Sequence, residues 1–156
     1  NGALRETRRV GLVVGGVRRN LWRKRRGRDA LVLPAPSGPG RSATPVVDRG
    51  ILAPPLFVAG SARPQLGRQV CLTGRSSGID QCGRIIRSYP GTGGIPCTTI
   101  SAAGGDSGSP VYTAPRADGT VRAVGIAVLV FGPFQSMCFE PIGPVLRRLD
   151  ATLVTQ

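Results

Sequence analysis

The chain has 156 residues, enough for one domain with its own core and short of two complete ones. Its formal charge is +13, from 20 arginines and one lysine against eight acids, and it contains no histidine. The longest apolar stretch, Ala123 to Phe134, has 12 residues including two glycines and a proline. A helix crossing a bilayer needs roughly 20, so a buried strand is expected there and no membrane association.

Residues 1 to 30 carry ten basic and two acidic side chains, a net +8. Val10 to Val17, preceded by Arg5, Arg8 and Arg9, imitates the basic and apolar parts of a signal peptide. Arg18-Arg19 follows in place of a small-residue cleavage site, which argues against one. The chain starts at Asn1 rather than methionine, so a processed product or a fragment is expected. The run Arg23-Lys24-Arg25-Arg26-Gly27-Arg28 would attract any polyanion. Trp22 is the only aromatic beside it, so base-stacking platforms are lacking and nucleic acid is a disfavoured partner; a solvated basic arm is the plainer reading. Residues 31 to 47 show neither alternation nor helical periodicity, and the first 47 residues receive no fold assignment.

Between Ala53 and Gly67, three prolines and two glycines predict a linker. From Gln69 onward short β-rich runs alternate with turn residues: Val70 to Thr73, Cys82 to Arg87, Cys97 to Ile100, Pro110 to Thr113 and Val121 to Val130. Asp118-Gly119 between the last two reads as a hairpin turn. Such spacing favours an antiparallel sandwich or barrel. Pro144 to Leu149 is the one short helix expected, with proline in its first turn and Arg147 and Arg148 near its C-terminal end.

Four cysteines, Cys71, Cys82, Cys97 and Cys138, permit three disulfide pairings. Spacings of 11, 15 and 41, with no C-x-x-C pair and no histidine, fit a zinc site poorly. Two disulfides and an oxidising compartment are expected, and no metal.

The segment Gly104-Gly105-Asp106-Ser107-Gly108-Ser109-Pro110-Val111-Tyr112 carries the chemistry. Gly-Asp-Ser-Gly alone can be an ordinary tight turn, but here a strand-like run, a hairpin and a long apolar strand follow it, with cysteines on both sides. The G-x-S-x-G elbow of an α/β-hydrolase fits worse, because Ser109 holds the last position and proline follows.

At these residues the chain resembles the chymotrypsin family of serine proteases, particularly its bacterial, streptogrisin-like branch. Val70 to Gly78 with Cys82-Gly83 is similar to the hairpin that opens the second barrel, Val124-Gly125-Ile126 to the strand lining the cleft, and Cys138-Phe139-Glu140-Pro141-Ile142 to the family's ending. The match covers about residues 66 to 156. It implies an all-β, chymotrypsin-like double β-barrel with the C-terminal barrel (66–156) complete, the N-terminal barrel incomplete, residues 48–65 as its end and the linker, and a short C-terminal helix. It also implies the pairs Cys71–Cys82 and Cys97–Cys138.

Carried over residue by residue, the resemblance makes Ser107 the nucleophile and the backbone N–H groups of Gly105 and Ser107 the oxyanion hole. Asp106 becomes a buried loop-stabilising residue paired with a cation. Val46-Val47-Asp48-Arg49-Gly50-Ile51 is similar to the family's aspartate segment, which makes Asp48 the triad acid. Expected partners are a protein or peptide substrate and a propeptide or inhibitor, with no cofactor, a monomeric state and secretion from the cell.

The chain departs from the family most seriously in lacking a histidine, since serine needs an imidazole base. Lys24 lies in the basic run and gives no support to a Ser-Lys dyad. Loss or corruption of sequence upstream of about residue 45 is the expected cause, and a pseudoprotease that keeps its cleft for binding is the other account. Ser109 stands where glycine is commonest, and Val128 and Leu129 where the family has small polar residues or glycine. Cys97 lies ten residues before Ser107, which implies a remodelled pocket wall, and uncharged Ser101 near the pocket floor implies an apolar preference.

Overall fold

The computed structural model describes residues 9–10, 44–89, 94–131 and 135–156. The basic run Arg23 to Arg28 and the side chain of Leu129 lie outside the described residues. Among the described residues ten strands and one helix follow in chain order: β1 Arg9–Val10, β2 Val46–Val47, β3 Leu56–Ser61, β4 Gln69–Gly74, β5 Gly78–Ile86, β6 Cys97–Ser101, β7 Pro110–Thr113, β8 Thr120–Phe131, β9 Ser136–Pro141, α1 Ile142–Arg148 and β10 Thr152–Leu153. A single turn of 3-10 helix, Gly50–Leu52, follows β2.

Six strands close a barrel in the order β4-β5-β6-β9-β8-β7, with β7 pairing back to β4. All of these neighbours are antiparallel. Val70, Leu72, Ile85, Ile100, Val111, Val124, Met137 and Phe139 fill the interior. A second core lies outside the wall, where Val47, Leu56 and Val58 pack on Cys71, Tyr112, Val121 and Ile142. Strands β4 and β7 therefore bury both faces: Val70 and Leu72 point inward while Cys71 points outward, and Val111 and Tyr112 divide the same way. Their sequences read as continuous apolar runs for this reason.

The segment expected to be a linker contains β3. Leu56 and Val58 are buried alternately with exposed Phe57 and Ala59, and β3 runs parallel to the first half of β8. Pro54, Pro55 and Pro64 sit just outside the strand, where their missing N–H groups cost no ladder bond. The turn residues that flank β3 hid it, because its partner is some 60 positions away in the sequence. The Asp118-Gly119 turn is present: Asp118 Oδ1 accepts from the Thr120 N–H at 2.9 Å and its hydroxyl at 2.7 Å. Helix α1 begins two residues before the expected start, so Pro144 is its third residue and still within the first turn.

Both cysteine pairings occur as expected, Cys71–Cys82 and Cys97–Cys138. Each joins directly opposed residues, the first across the β4–β5 hairpin and the second between β6 and β9.

Candidate active site

The loop between β6 and β7 carries Ser107. Its hydroxyl is exposed and donates a long hydrogen bond, 3.5 Å, to the Val128 carbonyl on β8. The loop is stitched to the same strand by Gly108 N–H to Ala127 O at 2.7 Å and Ala127 N–H to Ser109 O at 2.9 Å. Gly105 has φ +104°, a region only glycine enters readily, and a Cβ there would stand 2.7 Å from Ser76 Oγ. Among the described residues, the N–H groups of Gly105 and Ser107 donate to no protein acceptor, so both remain free for a ligand oxygen.

Asp106 forms the floor of this loop and is 1% exposed. Its Oδ1 accepts from Ser76 N–H at 2.8 Å and Ser77 N–H at 3.2 Å. Its Oδ2 accepts from Ala103 N–H at 2.9 Å and from the Ser77 hydroxyl. Ser76 adds a bond from its hydroxyl to Gly104 O at 2.8 Å. The expected cation is replaced by these donors: among the described residues no arginine meets the carboxylate. Burial alone would raise the pKa of Asp106, but the Ser77 hydroxyl and the three backbone N–H groups outweigh it and hold the carboxyl below its usual value. Gly74 is part of the same fit, since any Cβ there would run into the Asp106 carboxylate.

Asp48 follows β2. Its carboxylate is exposed and caps the adjacent turn, accepting from Gly50 N–H at 2.8 Å. Next to it, Arg49 reaches to the barrel wall and pairs with Asp80 on β5, while its Nε donates to Pro54 O at 2.6 Å. Asp80 in turn accepts from the Tyr112 hydroxyl at 2.7 Å, and Tyr112 and Thr73 share a hydrogen bond of 2.5 Å. Burial pushes the Tyr112 phenol up, so it stays protonated and keeps donating to Asp80.

One cleft of about 680 Å³ brings these parts together. Asp48 and Arg49 form one wall, Thr73 and Gly74 another, and Gly105 and Ser107 open onto it. Ser101 is exposed at the end of β6 and is not part of this lining. No group of three or more His, Cys, Asp or Glu side chains converges among the described residues in a way that could hold a metal ion.

No protein-family model matches the chain, and no curated protein does. Solved structures do. Thermobifida fusca Protease A superposes with a TM-score of 0.59 at 31% identity, covering 74% of this chain and 63% of that protein. The structural neighbours of the chain are bacterial chymotrypsin-like serine proteases. A Cellulomonas bogoriensis chymotrypsin (TM-score 0.59, 25% identity, 77% of this chain and 67% of that one) and a Nocardiopsis protease (0.54, 25%, 69% and 58%) are further solved structures that it resembles. The neighbours agree with the streptogrisin-like branch. The chain spans about 63% of the length of the Thermobifida protease.

Several residues of this candidate site carried no signal in the sequence. Ser76 and Ser77 look like ordinary turn residues, yet they hold the carboxylate at the base of the nucleophile loop from about 30 positions upstream. Arg49, Asp80 and Tyr112 are likewise distant in sequence and become partners only when β2 docks on the barrel wall.

Proposed function

We propose that this chain carries the nucleophile of a secreted serine endopeptidase, with Ser107 forming the acyl-enzyme and Asp48 serving as triad acid. The observation that supports this most is the single cleft onto which Asp48, Gly105 and Ser107 all open. In this reading Ser107 Oγ attacks the scissile carbonyl and gives its proton to a general base. The N–H groups of Gly105 and Ser107 meet the developing oxyanion, the amine leaves with that proton, and water then hydrolyses the acyl-serine ester. The substrate is a protein or peptide, no cofactor takes part, and a propeptide or inhibitor would fill the same cleft. The two disulfides support an extracellular location.

No histidine occurs among the 156 residues. By itself the chain therefore turns over at the low rate that remains when a site of this kind loses its base. Imidazole added to the solution should restore part of the missing function. The test is labelling by a fluorophosphonate probe: slow for the chain alone, faster with millimolar imidazole, and absent in Ser107→Ala. Equal labelling of Ser107→Ala removes Ser107 from the mechanism.

The missing histidine also favours a second reading, a pseudoprotease that binds peptides in the cleft without cutting them. It predicts that a peptide ligand protects the cleft from hydrogen exchange in both the parent and Ser107→Ala, with no gain in labelling from imidazole.

A further inference from the structure

At the opposite end of the barrel from the cleft, four arginines converge on a second hollow. Arg63, Arg68, Arg116 and Arg122 line a cavity of about 640 Å³. They are four of the ten arginines between residues 44 and 156, and all four are exposed. The guanidiniums of Arg63, Arg68 and Arg116 make no hydrogen bond or ion pair among the described residues, and Arg122 makes only a weak one, 3.4 Å to Ser61 O. Asp118, the acid on which Arg116 acts, is already engaged by Thr120 and lies below its ordinary pKa, first through those Thr120 hydrogen bonds and only weakly through Arg116.

Strands β4 and β7 connect the two sites. β4 begins in the hollow at Gln69 and ends in the cleft at Gly74, while β7 begins in the cleft at Pro110 and ends in the hollow at Thr113. At about 3.3 Å per residue the two lie roughly 10 Å apart along β7 and roughly 17 Å apart along β4. No residue lines both.

We propose that this hollow binds a compact oligophosphate. Four like charges gathered around one concavity repel each other until an anion lies between them. Guanidinium forks match phosphoryl oxygens two at a time, and no lysine or carboxylate interrupts the set. The volume falls in the range of small-molecule sites. The lining contains no aromatic residue, so the site reads the phosphoryl groups themselves and offers no platform for a nucleobase.

Calorimetric titration of the full chain with inorganic tripolyphosphate tests this. Because Arg23 to Arg28 would also attract the anion, the titration is run in a background where Arg23, Lys24, Arg25 and Arg26 are replaced by glutamine. Binding is expected to persist there and to weaken at least tenfold on adding Arg68→Gln and Arg122→Gln. The lysine pair Arg68→Lys and Arg122→Lys should weaken it several-fold, since it keeps the charge and loses the fork. Arg68 and Arg122 are exposed, so an unchanged thermal midpoint is expected on replacing them and certifies that each variant is folded. Loss of all binding on neutralising residues 23 to 26, or affinity unaltered by the double glutamine variant, would overturn the proposal. Equal affinity for an oligo-aspartate of matched charge would overturn the selectivity for phosphoryl oxygens.

Discussion

Asp106 depends on hydrogen-bond donors rather than a counter-ion, and this determines how acid acts on the nucleophile loop. Its carboxyl is held below the unfolded value of about 3.9, so it contributes stability in full above that pH and loses it as pH falls further, through the folded value. Asp106→Asn should cost on the order of 2 kcal/mol at pH 7 in urea unfolding, because the amide cannot accept from four donors at once. The gap from the parent should narrow below about pH 4; a gap that is the same at pH 7 and pH 3 would mean that the ionised carboxylate is not what the donors recognise. Ser107→Ala, by contrast, should leave the unfolding midpoint unchanged, since the hydroxyl is exposed and its one bond is long. That Asp106 is buried was legible from the Gly-Asp-Ser-Gly motif. Its partners were not, because backbone N–H groups carry no residue label and serine in a turn looks like any other turn residue.

The elements that sequence made visible are those whose stability is local. Pro110–Thr113 is delimited by proline and by β-forming residues, and the Asp118-Gly119 turn by its own side-chain bonds. Strand β3 escaped because what stabilises it is distant: it pairs with β8 and buries Leu56 and Val58 on the barrel's outer wall. The same docking positions Asp48, and the Arg49–Asp80–Tyr112 chain of contacts fastens it. Tyr112→Phe should destabilise the protein by roughly 1 to 2 kcal/mol, as Asp80 and Thr73 lose a buried partner. Amide exchange should accelerate at Val46 to Gly50 more than in the barrel interior. Uniform acceleration would mean that the tyrosine supports the whole barrel and not the fastening of β2.

At the scale of the molecule, the two disulfides span loops of very different size. Sequence separations of 11 and 41 give loop-entropy contributions of about 3 and about 4 kcal/mol. Replacing Cys97 and Cys138 by alanine should therefore lower the denaturation midpoint more than replacing Cys71 and Cys82. The reverse order would show that packing around Cys71 in the outer core outweighs chain entropy. The barrel itself was legible because its strands are short, apolar and regularly punctuated. That Asp48 and Ser107 line one cleft was expected from the family resemblance alone, because it needs a parallel pairing that no local pattern encodes.

The bonds from Ser76 and Ser77 to Asp106 have a consequence for the order of assembly. They bridge 29 to 30 residues of sequence, and the Ser107 loop also leans on β8, 18 to 21 positions downstream. The loop is thus clamped from both sides by strands that meet only when the barrel has closed. The loop around Ser107 therefore takes its geometry only once the β4–β5 turn and β8 are both in place, so labelling of this one hydroxyl should report that the two have met.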